Sequence, residues 1–321
     1  MGSHPASTVP HQIPRRNVVF QLRPTAPFRL DLTVWALRRR AHNLVDRWDG
    51  QTYRRILPVQ DQPLEVAVTQ IGPPEAPLLR VEAADCPPHL ECAAILTTFL
   101  VKMLGLNADL TPFYRLAAAD DRLRHLVERF RGLKPPRFPT VFEALVNAIA
   151  CQQLSLTVGL HILNRLAAAF GPALPDATEA PHGFPRPGDL AGAAPEALRA
   201  LGFSYNKAKA AIALAQDLAN HPAELEDLKD LDDPAVLERL LAFKGVGRWS
   251  AEYALLRGLG RLAVFPGDDV GARKNLQTWL HLDEPLDYEG VRRHLAPWRP
   301  YAGFLYFHFL LSHLAETGQI S

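Results

Sequence analysis

Cysteine is nearly absent: Cys86, Cys92 and Cys151 are the only three in 321 residues. Their number and spacing exclude a four-cysteine zinc or iron–sulfur site and fit a chain kept in a reducing cytosol. Cys151 stands in the apolar run NAIACQQL, which predicts a buried and inert thiol. No apolar run reaches the ~18 residues of a membrane-spanning helix. The opening MGSHPASTVPHQIPRR lacks the apolar segment of a leader peptide, so residues 1–17 read as a disordered tail. The P-loop signature GxxxxGK[ST], the dinucleotide fingerprint GxGxxG, the nucleophile elbow GxSxG and the zinc motif HExxH are all missing. Twelve histidines show no paired-ligand spacing, and His308 and His313 are five apart, off one helix face.

Charge of one sign is also lacking, since the formal net charge is +1. That sum neither suggests nor excludes a polyanionic partner, because a local patch matters more. One patch exists in residues 114–139, where Arg115, Arg122, Arg124, Arg129, Arg131, Lys134 and Arg137 face only Asp120, Asp121 and Glu128. Taken alone it reads as a solvated helix face.

The patterning divides the chain. In residues 18–106, strands are expected at 18–22, 28–34, 64–70 and 78–82, with amphipathic helices at 35–48 and 88–104. This is a small α+β domain. From residue 107 to 321 the spacing is helical at 142–149, 157–170, 195–200, 207–219, 234–243, 248–259 and 301–314. A Pro/Gly-rich loop, 171–195, interrupts it. The fold class is therefore mainly α, an all-α domain preceded by a small α+β one.

One helix is broken in its middle. FKGVGRWSAEY places Gly245 and Gly247 between apolar stretches, and glycine is a poor helix former. Asp233 and Pro234 suit the start of the helix before the break. Gly245 can end that helix in a left-handed turn, Val246 can plug the gap, and Gly247 can open the next helix with uncovered backbone N–H groups. Such a helix start binds anions, so the unit can hold a phosphate while reading no base sequence, with Arg248 adding charge. Trp249 and Tyr253 share a face of the second helix. Downstream, VFPGDDVGARKNL sets Asp268 and Asp269 before a helix beginning near Val270, and Asp268 reads as its N-cap.

FKGVGRWSAEYALLRGLGRLAVFPGDD resembles the helix-hairpin-helix DNA glycosylase superfamily, and its nearest branch looks like 3-methyladenine DNA glycosylase II, the AlkA type. The resemblance covers about residues 25–315 and includes AIACQQLS, LGFSYNKAKA and PWRPYAGF. It implies two helical lobes with the active-site cleft between them. It implies that Asp269 is the catalytic carboxylate. Cleaving an N-glycosidic bond builds oxocarbenium character on the sugar, and a fixed carboxylate stabilises that charge and holds the attacking water. It implies that Trp249 and Tyr253 wall a pocket for a flipped base, with Trp35 and Phe307 as further candidates. The wedge that fills the gap left in the duplex falls on Gln153 or Leu154. Gly245, Val246, Gly247 and Arg248 would touch the DNA backbone, while Ser204 to Lys207 and Arg273 would touch it or simply be solvated.

A related branch carries a nucleophilic lysine just after the hairpin, where this chain has Trp249. The expectation is thus hydrolysis without strand cleavage. No cofactor is implied beyond a monovalent or divalent cation on the hairpin carbonyls. The partner is double-stranded DNA carrying damaged bases, with no membrane contact, from a monomer working in the cytoplasm on the nucleoid. Val270 stands where the prototype often has an aromatic, which leaves other bases open: hypoxanthine, ethenoadenine or oxidised guanine. A non-catalytic damage-binding protein is the rival of a different class.

Overall fold

The structure is a computed structural model that describes residues 16–60, 62–174, 181–221, 225 and 227–320. Five antiparallel strands form one sheet in the order β1-β5-β4-β3-β2. They are β1 Arg16–Leu22, β2 Arg47–Trp48, β3 Thr52–Val59, β4 Gln62–Gln70 and β5 Leu79–Cys86. The helices are α1 Leu30–Arg38, α2 Cys92–Met103, α3 Thr111–Ala118, α4 Asp121–Arg129, α5 Val141–Cys151, α6 Leu156–Phe170 and α7 Pro187–Ala191. They continue with α8 Pro195–Ala200, α9 Tyr205–Asn220, α10 Asp233–Ala242, α11 Arg248–Ala254, α12 Val270–Leu280, α13 Tyr288–Leu295 and α14 Ala302–Glu316.

The period-2 pattern of β4 is what the sequence promised, with Leu64, Val66 and Val68 buried. The apolar core that backs the sheet continues into α5, α6 and α9 without a break. A second core joins α3, α4, α12, α13 and α14.

Four local expectations fail for identifiable reasons. Residues 30–34, expected as strand, begin α1, because Leu30, Val34 and Leu37 follow helical spacing while burial on nearly every side masks the period. The helix expected over 35–48 stops at Arg38. Arg39 takes the left-handed conformation at φ 66°, its N–H bonds to the Trp35 carbonyl, and Asn43 accepts the N–H groups of Val45 and Asp46 in a tight turn. Strand β3 was not foreseen, because its arginines hide the alternation and one of them, Arg55, is only 1% exposed. The N-cap of α10 is Asp232, one residue before the expected Asp233.

Residues 16 and 17 stand in β1, and the rest of the expected tail lies outside the described residues. So does 175–180 of the expected long loop, whose flanks hold a bridge between Ala173 and His182 and the short helix α7. Cys86 and Cys92 are joined as a disulfide between the end of β5 and the start of α2, against the expectation of three reduced thiols. The basic stretch 114–139 is largely spent within the fold. Lys134 donates to the Ala108 carbonyl, Arg137 to those of Lys102 and Leu259, and Arg124 and Arg131 pair with Asp121 and Glu128. Among the described residues, no helix is long and apolar enough to cross a membrane.

Candidate active site

The broken helix is a hairpin. After α10, Gly245 turns the chain at φ +84°, where a Cβ would come within 2.5 Å of the Ala210 Cβ, so both conformation and space demand glycine. Val246 is buried in the gap, and the exposed Gly247 caps α11. The turn between α5 and α6 is fastened to this hairpin by Gln152, whose Nε2 donates to the Gly245 carbonyl and to Ser250 Oγ, both at 2.9 Å. Lys207 Nζ donates to the Ala150 and Gln152 carbonyls, which holds the other side of that turn and takes Lys207 away from the role of a free surface charge.

The π-helical segment Leu255–Leu259 follows α11, and the chain then returns through PGDD to α12. Glu252, only 5% exposed, fixes this return. Its carboxylate accepts the Gly267 N–H at 3.2 Å and the Tyr288 hydroxyl at 2.5 Å, while burial pushes its pKa up. Gly267 lies so close to the Tyr288 ring that a Cβ would sit 2.7 Å from it. The loop is thereby held at Gly267 by Glu252 and by the Tyr288 ring, just ahead of the acidic pair.

Asp269, and not Asp268, is the N-cap of α12. Its Oδ1 accepts the Ala272 N–H at 2.9 Å. Its Oδ2 accepts from Trp249 Nε1 at 3.2 Å and from the Tyr306 hydroxyl at 3.1 Å. Burial and the Asp269 charge push the Tyr306 phenol up, so it keeps its proton and donates. Asp268 pairs instead with Arg248 at 2.7 Å, and the Arg248 guanidinium lies 3.8 Å from the centroid of the Tyr288 ring. That guanidinium is therefore already engaged within the fold.

A cavity of about 570 Å³ opens in front of Asp269. Its lining includes Trp249, Tyr253 and Tyr306, together with Gln153, Leu154 and Val270. Trp249 and Tyr253 have ring centroids 5.6 Å apart, as their spacing predicted. Gln153 takes a left-handed backbone at φ +54° with its side chain exposed, and Leu154 is 41% exposed beside it. Both wedge candidates thus line the cavity. Cys151 lines it too, half-buried, with its thiol pushed up by desolvation, in keeping with an inert group.

Two expected wall residues are elsewhere. Trp35 lines a different depression with Trp48 and Gln319 and lies 5.1 Å from the Arg38 guanidinium, so it is the end of α1, at Arg39, and not this earlier turn that reaches the cavity. Phe307 is wholly buried against Phe304 and the Arg257 guanidinium. One residue along a helix rotates a side chain by ~100°, and it is Tyr306 that faces Asp269. Besides Tyr306, sequence reading missed Glu252, Tyr288, Arg39 and Asn147. A polar residue inside the aromatic pair, as in WSAEY, was the one available signal, and it pointed to Glu252.

The arrangement is a carboxylate held by three donors, facing an aromatic cavity large enough for one purine, beside a glycine hairpin. Residues 146–300 match the model of the HhH-GPD superfamily of base excision DNA repair proteins. The chain matches it over just under half of its length. It is 26% identical over 210 residues to the DNA-3-methyladenine glycosylase of Bacillus subtilis (strain 168), covering 65% of this chain and 69% of that one. It is 32% identical over 181 residues to DNA-3-methyladenine glycosylase 2 of Escherichia coli (strain K12), covering 55% of this chain and 59% of that one. The solved 3-methyladenine DNA-glycosylase of Archaeoglobus fulgidus superposes with a TM-score of 0.78 at 26% identity, over 91% of this chain and 97% of that one. The HhH-GPD match includes the hairpin, the Asp269 loop and the α5–α6 turn, while Arg39 and Tyr306 join the cavity from outside it.

Proposed function

We propose that this protein is a monofunctional DNA glycosylase that releases alkylated purines, 3-methyladenine and 7-methylguanine, from duplex DNA in base excision repair. The observation that carries the reading is Asp269, an ionisable group fixed by Ala272, Trp249 and Tyr306 at the wall of an aromatic cavity. The hairpin amides hold a phosphate, the damaged nucleotide swings out into the cavity, and Gln153 or Leu154 enters the stack behind it. The bond from sugar C1′ to the base nitrogen then breaks, and its electron pair leaves with the base. Alkylation has made that base a good leaving group, so no acid need protonate it. The Asp269 carboxylate stabilises the positive sugar and takes a proton from the attacking water, which leaves an abasic site.

Trp249 occupies the place of the nucleophilic lysine of the strand-cleaving branch, and its indole NH donates to Asp269. The strand therefore stays whole. The reaction draws on no cofactor and works on DNA in the cytoplasm. Incubation with methylated duplex DNA tests the reading. Free 3-methyladenine or 7-methylguanine is expected, and tight binding without base release would favour a damage-binding protein.

A further inference from the structure

The cavity floor is built on a cation. Arg39, 4% exposed, lines the cavity from the end of α1. Its Nη1 donates to the Tyr253 hydroxyl at 2.8 Å and its Nη2 to Asn147 Oδ1 at 2.6 Å, while its Nε–H is buried without a partner. Both partners are neutral. A second guanidinium, that of the fully buried Arg257, lies behind the same tyrosine, 5.6 Å from its ring centroid. It donates only to the Ala36 and Leu37 carbonyls, and its Nε and Nη1 have no partner. Two buried guanidinium groups thus sit beneath the floor with neutral hydrogen-bond partners only, while Asp46 and Glu143 act on Arg39 by charge alone.

This bears on which base the cavity accepts. A cationic base in the cavity meets both the Arg39 guanidinium and the Asp269 carboxylate, so charge alone does not select it. The π-face of Tyr253 that would attract a cationic base already serves Arg257 from the other side. A base carrying a carbonyl, by contrast, offers Arg39 an acceptor for a charge-assisted hydrogen bond. We propose that Arg39 is a specificity-determining residue: it biases the cavity toward damaged bases that bring an acceptor oxygen, such as hypoxanthine, over those that bring none, such as 3-methyladenine. Arg39 does not exclude the cationic base, whose glycosidic bond is already weak. It sets the ratio between the two classes. The inference rests on the glycosylase reading and refines its substrate range.

The test is kcat/KM for release of hypoxanthine and of 3-methyladenine from duplexes otherwise identical, compared between the unaltered protein and Arg39→Gln. The ratio is expected to shift at least about tenfold toward 3-methyladenine, the size of one lost charged hydrogen bond. Because Arg39 also ties α1 to α5 and α11, a second variant guards against misfolding. Asn147→Asp keeps the shape and gives Arg39 a counter-charge, and it is expected to shift the ratio the same way. Equal loss of both bases in the two variants, or an unmoved ratio in the variant that folds, would overturn the assignment and leave Arg39 a structural tie. So would release of 3-methyladenine, but no hypoxanthine, by the unaltered protein. Release of neither base by the unaltered protein is a different result: the glycosylase reading itself fails, and this inference with it.

Discussion

Helix α5 presents two side chains one turn apart, Glu143 and Asn147, to two buried arginines. Glu143 meets Arg55 from the sheet, at 2.6 Å, and Asp46 closes the other side of that guanidinium at 2.7 Å. Asn147 meets Arg39, whose other partner is the phenol of Tyr253. The first arginine is surrounded by carboxylates and the second by neutral acceptors. Charge that serves only the fold is cancelled where it lies. Charge beside the cavity has no carboxylate bonded to it, which leaves its donors for a ligand to use. His308 shows the third solution. Ringed by Phe113, Phe130 and Phe304, it is pushed down to about 4 by desolvation and so gives up its proton, which a guanidinium cannot do.

The comparison can be broken at its cancelled end first. Arg55→Met leaves Asp46 and Glu143 buried without a counter-charge and is expected to cost about 3–5 kcal/mol of stability in chemical denaturation. The ratio of released bases should not move. Asp269→Asn does the reverse. Asparagine still caps α12, so stability holds, while base release is expected to fall by about 10²–10³, roughly 3–4 kcal/mol of barrier, with DNA affinity retained.

His308 gives a pH dependence with a definite sign. The unfolded chain binds the proton near pH 6.5 and the folded one only near 4, so the unfolded state carries more protons between those values. Stability is full above pH 6.5 and falls by up to about 3 kcal/mol as the pH drops to 4. His308→Phe should flatten that slope in denaturation curves taken across the window.

The smallest effect is the most telling, because each arginine cluster contains one tyrosine. Tyr53→Phe removes a 2.7 Å hydrogen bond to Asp46 and should cost about 1 kcal/mol of stability with no change in base preference. Tyr253→Phe frees Arg39 Nη1 for the ligand and should raise hypoxanthine release relative to 3-methyladenine. If Tyr53→Phe moved the ratio as much, the distinction between the two clusters would be lost.

The site was legible where its chemistry is local. Gly245 and Gly247 announce a hairpin, Trp249 and Tyr253 lie one helical turn apart, and the Asp pair follows a Pro-Gly turn. Which aspartate caps α12 was not legible, because either can accept an N–H from the first turn. Arg39 was hidden twice over. It ends a helix that the sequence read as running on, and its partners lie 108 and 214 residues away. Strand β3 was hidden by Arg55, whose burial only Asp46 and Glu143 make tolerable. Buried charge defeats pattern reading wherever its partners are distant, and here that covers both the seam between sheet and helices and the floor of the cavity.

The most direct test of the account is base release from methylated duplex DNA, with free bases separated by chromatography and the strand examined before and after alkali. The account predicts free 3-methyladenine or 7-methylguanine and a strand that breaks only on alkali treatment, at abasic sites. A strand nicked in step with base release, or no release at all, would contradict it.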